Sequence, residues 1–294
     1  MPLPNAGPAK VSDYLELTKP RLSLLSVLTA LVGYLSARPP WVPLELFSVI
    51  AGTSLAAGGV AALNQWLEQD TDARMKRTRD RPIPTGKVAT GSAFVLGAGM
   101  CVASLALMFA ETNGLAALFT LLTISAYLGW YTPAKRWSRW STEIGAVAGA
   151  FPPLIGWSAG AGGVTALGWI LFGILFFWQL PHFLAISWIY RHDYSAVNFP
   201  ILPVRDASGR RVAFWAFVNT GLLVVVSLLP LPLHLATAWY GAVAAVAGVA
   251  MLLRARGFRS VANRDAAARA LFRASLLYLP LVLGALLADR IVHF

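Results

Sequence analysis

An all-α, polytopic integral membrane protein is the fold class this sequence predicts, and three observations predict it. Of the 294 residues, 57% are hydrophobic and only 13% are charged, about half the charge of an ordinary soluble chain. Apolar runs suited to a hydrocarbon core about 30 Å thick, which takes roughly 17–25 helical residues, recur nine times. The third observation is where the bases sit. If the chain starts on the cytoplasmic side, all of its 24 Lys and Arg except Arg38 and Arg290 fall in the N-terminal tail or in the connections after runs two, four, six and eight. This is the asymmetry of the positive-inside rule, and one crossing more or fewer would put every later loop on the wrong side. The expectation is therefore nine transmembrane helices, N-in and C-out, forming a single integral domain over 1–294 with 1–20 as a cytoplasmic tail.

The first run, 22–37, is the shortest, and the second, 44–63, passes directly into the polar stretch NQWLEQDTDARMKRTRDRP. The third, 89–110, contains Cys101, the one cysteine, which excludes an intramolecular disulfide and any cysteine-rich metal site. The fourth, 114–131, ends in YTPAKRW, and the fifth, 142–160, carries Gly145, Gly149, Pro152, Pro153, Gly156 and Trp157, packing and kink residues on a structural reading. The sixth, 166–190, contains Pro181, which should bend it, and leaves through WIYRHDYSAVNFP. Runs 212–229, 233–253 and 271–288 complete the count. The net charge of +11 is then mostly topological, set beside anionic lipid, and nucleic acid binding is not indicated. The N-terminus has neither a signal-peptide apolar region nor transit-peptide character, so a bacterial plasma (inner) membrane fits best.

Chemistry concentrates where runs two, four and six end, because those three polar loops share one face. Asn64, Glu68 and Asp72 stand at i, i+4 and i+8, which on a helix puts them on one side, about 6 Å apart per step. Acids contribute little to topology, and ionisable groups at a membrane helix end are functional by default. Carboxylate and amide oxygens suit a hard cation such as Mg²⁺, which keeps waters and is completed by substrate phosphates. Arg74, Arg77 and Arg81 follow at intervals of three and four, and guanidinium forks chelate phosphate oxygens. Lys135 and Arg136 offer a second basic pair on that side. For any one of these bases a purely topological role stands beside the phosphate role. Asp70 points off the acidic face, either solvated or a third ligand.

With these residues in view, the sequence resembles the UbiA superfamily of intramembrane prenyltransferases, whose second helix ends in an NxxxDxxxD-type motif, here Asn64, Glu68 and Asp72. More narrowly, NQWLEQDTDARMKRTRDRPIPTG is similar to the version in its haem-modifying branch, the protohaem IX farnesyltransferases or haem O synthases. Met75, Arg77, Thr78, Arg81 and Pro82 match in order. The likeness extends through YLELTKPRLSLLSVLTALVGY near the start, YTPAKRW, EIGAVAGAFPPLIGW and WQLPHF. It implies transfer of a farnesyl group from farnesyl diphosphate to a vinyl group of protohaem IX, with water added. Mg²⁺ would be held by Asn64, Glu68, Asp72 and Asp193, and the diphosphate by Arg77, Arg81, Lys135 and Arg136. His182 becomes a haem-binding candidate beside its plainer reading as a hydrogen-bonded structural group. Tyr131 and Trp178 are candidates to line an aromatic cavity. Haem A synthase or oxidase assembly factors are implied as protein partners. The sequence departs from the general second DxxxD motif, since Val197 stands four residues after Asp193. Two alternatives stay open: an intramembrane prenyltransferase for an aromatic ring or chlorophyll-like macrocycle, and a secondary transporter, whose acids would sit at the membrane midplane instead of one face.

Overall fold

The structure, a computed structural model, describes residues 9–260 and 263–294; the first eight residues of the expected tail lie outside them. Among the described residues every regular element is helical. Nine helical stretches among the described residues are long and apolar enough to cross a membrane, the number predicted.

The tail is not loose where it is described: α1 (Val11–Thr18) buries Leu17 among Ile83, Val88 and Ala93. Lys19, in the left-handed region at φ 46°, turns the chain into the first crossing, α2 (Pro20–Ala37). The second is α3 (Pro43–Leu67), continued by the short α4 (Gln69–Asp72). The third is α5 (Thr90–Glu111). The fourth joins α6 (Gly114–Ser125), a π-helical turn (Ala126–Tyr131) and α7 (Thr132–Trp137). The fifth is two helices, α8 (Ser141–Ala150) and α9 (Pro152–Ala161), divided at Phe151 because Pro152 and Pro153 start a new helix far better than they continue one. The sixth, α10 (Ala166–Ile189), runs through Pro181 as one helix. Short α11 (Arg191–Ala196) and α12 (Leu202–Arg205) lead to α13 (Arg210–Leu228), α14 (Ala238–Phe258) and α15 (Arg264–His293).

Two helix starts differ most from the expectation. The eighth crossing begins at Ala238, not near 233, because Asp289 accepts from the Thr237 amide at 2.8 Å and fixes the helix start there. The ninth starts at Arg264, well before the apolar run, since its charged first turns are helical without being hydrophobic.

Lipid tails are as apolar as Leu, so the helices are held by close packing and interhelical hydrogen bonds. Ser104 of α5 donates to the Gly52 carbonyl of α3 at 2.6 Å, and Gly59 and Gly97 bring these two helices together. Gly156 of α9 lies against the Ala30 carbonyl of α2, where an added Cβ would overlap backbone. The largest core cluster joins Leu175 and Trp178 of α10 with Leu223, Met251 and Tyr278 of α13, α14 and α15. At the end remote from α4, the Arg290 guanidinium donates to the Ser36 carbonyl at 3.4 Å, setting the end of α15 beside the end of α2.

Candidate active site

At Glu68 the helix relaxes (φ −104°, ψ 10°) between α3 and α4, yet the backbone ladder continues, from the Glu68 amide to the Asn64 carbonyl at 3.0 Å and from the Asp72 amide to that of Glu68 at 2.8 Å. Asn64, Glu68 and Asp72 therefore stay stacked as their spacing predicts, and all three are buried.

Each carboxylate faces a cation from another part of the chain. Lys135 Nζ donates to Glu68 Oε2 at 2.9 Å and lies 2.7 Å from Oε1, close as an ion pair but without hydrogen-bond alignment, so Oε1 accepts no hydrogen bond. Arg81 Nη1 lies 2.5 Å from Asp72 Oδ2. The Asn64 amide joins the two sides, donating to Glu68 Oε2 at 3.0 Å and to the Thr132 hydroxyl oxygen at 3.1 Å. Burying two charges costs more than exposed pairs repay, so such a pair persists only with both members present. The loop that carries Arg81 is held from below: Thr78 donates to the Asp72 carbonyl at 3.0 Å, and Met75 is buried with Val197, Phe199 and Ile201. Val197, where a second motif would have placed an acid, is thus a packing residue that fastens the loop after α10 to the loop after α4.

The other predicted bases are arranged differently from one another. Arg136 forks onto Asp70 at 2.6 and 3.1 Å and donates to the Leu67 carbonyl at 3.0 Å, so it pins α7 to the end of α3 instead of facing the buried carboxylates. Partial burial alone would push the Asp70 carboxyl up, but the Arg136 guanidinium overrides it and holds the group below the usual carboxylate range. Arg77 is exposed, its guanidinium 5.7 Å from the Tyr190 ring centre. Tyr131 lies under Lys135, with Nζ 4.5 Å from its ring centre. Asp193, in the first turn of α11, is half-buried and has no ion pair or side-chain hydrogen bond among the described residues.

Trp178 and His182 stand elsewhere, against α15. The Trp178 indole donates to the Ser275 carbonyl at 2.7 Å, and His182 Nδ1 lies 2.8 Å from Ser275 Oγ. Ser275 Oγ also lies 2.6 Å from the Phe272 carbonyl, so one hydroxyl ties the imidazole to α15. The imidazole stacks on Trp178 at 4.8 Å and leans on Phe272 at 4.9 Å.

Sequence reasoning missed Lys19. Half-buried at the junction of α1 and α2, its ammonium is pushed down to about 7, by burial first and then by the charges of Arg81 and Lys135, against the opposing pull of Asp72 and Glu68. The one signal was its place directly before Pro20, where a basic residue opens a membrane helix.

Among the described residues no three His, Cys, Asp or Glu side chains converge into a metal-holding group. The donor set nevertheless fits Mg²⁺, which takes one or two carboxylates and completes its shell with water and substrate phosphate. Glu68 and Asp72 are two buried carboxylates already balanced by cations, and Glu68 Oε1 has an unused acceptor.

The family model of the UbiA prenyltransferase family matches residues 26–277. A protoheme IX farnesyltransferase of Opitutus terrae is 71% identical over 97% of each chain, and one of Solibacter usitatus is 39% identical over 95% of this chain and 98% of its own. Among solved structures, a digeranylgeranylglyceryl phosphate synthase superposes with a TM-score of 0.80 at 17% identity, covering 96% of this chain and 98% of that one. A UbiA homolog from Archaeoglobus fulgidus bound to GPP and Mg²⁺ gives 0.64 at 14% identity, covering 95% and 100%. A matched stretch that includes the stacked Asn64, Glu68 and Asp72, and relatives aligned nearly end to end, establish that the chain belongs to the UbiA prenyltransferase family.

Proposed function

We propose that this prenyltransferase moves a farnesyl group from farnesyl diphosphate to a vinyl group of protohaem IX, with addition of water, giving haem O and diphosphate for haem A and terminal oxidase biogenesis. The observation that carries the reading is the buried cluster in which Lys135 and Arg81 neutralise Glu68 and Asp72 beside Asn64. Its chemistry suits a diphosphate brought in with a divalent metal, and the 71% identical relative supports the acceptor.

In this reading Asn64, Glu68 and Asp72 would hold Mg²⁺, and Asp193, which does not converge on one point with both acids among the described residues, would act on it through bound water. The metal supplies positive charge against the diphosphate as it leaves. Lys135 and Arg81 sit opposite the acids and turn to phosphate oxygens when these arrive, and Arg77 comes from the exposed side of the same loop. Guanidinium and ammonium donors placed before the reaction stabilise charge that builds on the leaving oxygen. The farnesyl C1–O bond breaks with its electron pair going to diphosphate, and the vinyl terminal carbon bonds to C1. Water then adds to the cationic carbon next to the macrocycle and loses a proton. The apolar bundle keeps the allylic cation from bulk water until that bond forms, and the Tyr131 ring, already under an ammonium, offers a π face to positive charge. His182 offers an imidazole, the side chain that commonly binds haem iron.

The test is to incubate purified protein with protohaem, farnesyl diphosphate and Mg²⁺, with and without chelator, and to weigh the extracted haem by mass spectrometry. A farnesylated, hydrated haem that disappears with chelator supports the proposal. Prenylation of an aromatic acid or quinone precursor with haem unchanged would overturn the acceptor.

A further inference from the structure

A groove of about 470 Å³ lies between α14 and α15, away from the site described above. Small side chains line it, Ala247 and Ala250 from one helix and Ala270 and Ala274 from the other, with the buried Met251 and Tyr278 beneath. The rim residues Val246 and Leu277 are 71% and 74% exposed, so the groove opens outward, to lipid. Ser275, which anchors His182, points to the opposite side of α15, toward α10. One end of the groove is apolar, and at the other stand Arg254 and Arg273, one from each helix. Neither has an ion pair among the described residues. Both count toward the positive-inside bias, but they are the two bases carried on the helices that wall the groove, Arg254 in the last turns of α14 and Arg273 past the first two turns of α15, so their charge is presented to whatever occupies it. A neighbouring cavity of about 620 Å³ at the same end is bordered by Arg210, Arg256 and Arg259, which deepens the positive field.

We propose that this groove binds one anionic phospholipid, with an acyl chain along the alanine-lined walls and the headgroup phosphate between Arg254 and Arg273. Basic pockets between membrane helices select anionic headgroups in this way, and guanidinium stems reach from an apolar wall to a polar head. An outward-opening groove favours a lipid over the planar macrocycle of the proposed acceptor.

The test uses the full chain in detergent and native mass spectrometry, titrating phosphatidylglycerol against phosphatidylcholine with the same acyl chains. Wild type is expected to retain one phosphatidylglycerol in preference to phosphatidylcholine. Arg254→Ala with Arg273→Ala should weaken that retention by roughly thirtyfold and leave phosphatidylcholine unchanged. Ala250→Phe with Ala274→Leu narrows the groove while keeping both arginines, and should also lose the tightly held lipid. Equal retention of the two lipids by wild type, or a preference that survives both pairs of substitutions, overturns the proposal. Displacement of phosphatidylglycerol by protohaem, one for one, also overturns it and gives the groove to a porphyrin. The readout is lipid retention alone, so it stands or falls separately from the proposed reaction.

Discussion

At Asp72 a carboxylate 3% exposed is held by the single guanidinium of Arg81, which makes it the most informative side chain to neutralise. Asp72→Asn keeps the volume and removes the charge. Turnover is expected to fall by at least about a hundredfold, the scale of losing one electrostatic contributor, with the protein still inserted and monodisperse; near-normal activity would remove Asp72 from the reaction. Lys135→Met leaves Glu68 buried without its cation and should cost about 3 kcal/mol, as for other broken buried pairs. Adding Glu68→Gln should recover most of that loss in an unfolding titration. Lys19 belongs to the same field. With its ammonium near 7, it is largely neutral at pH 8, and an arriving diphosphate raises its proton affinity. Binding of inorganic diphosphate at pH 8 should therefore take up a proton, seen as a calorimetric enthalpy that depends on the buffer. Affinity should rise as pH falls toward 7 and level off below it, and Lys19→Ala should abolish the uptake. Asn64, Glu68 and Asp72 were legible in the sequence because one helical period carries all three. Lys19, like the division of labour between Lys135 and Arg136, was not, because it depends on which chain-distant side chains meet.

Helices here are held by how closely their backbones approach. Gly156→Ala would drive a Cβ into the Ala30 carbonyl, and backbone cannot step aside as a side chain can, so the expected loss is about 2 kcal/mol, typical of overpacking. Gly284→Ala, where a Cβ meets nothing within 4 Å, is the control and should leave thermal unfolding in detergent unchanged. The nine apolar runs could be read because hydropathy reports burial in lipid. Their ends could not always be, since Asp289 fixes the start of α14 from another helix and the first turns of α15 are helical and charged. The break at Phe151 was visible only as a pair of prolines.

For the molecule as a whole, the distribution of bases argues for an orientation, and we propose that α4 and its loop face the cytoplasm while the end of α15 faces outward. In a Cys101→Ala background, a membrane-impermeant maleimide applied to sealed cells should label Val292→Cys and spare Lys87→Cys; the reverse pattern would invert the bundle. Crossing number was accessible from sequence because it is a property of charge and length. The closure of the far end through Arg290 and Ser36 was not, because nothing local encodes a contact between first and last crossings. The π-helical turn Ala126–Tyr131 has a consequence on an evolutionary scale. Its wider ladder, in which the Thr132 amide reaches the Tyr127 carbonyl, holds one residue more than an α-helix would, and each residue turns a helix by about 100°. A one-codon deletion there, at Gly129 where space is open, would leave a continuous crossing and rotate Thr132 and Lys135 off Asn64 and Glu68. A lineage could thus lose the chemistry and keep the fold by a single in-frame step, with all three acids still in place.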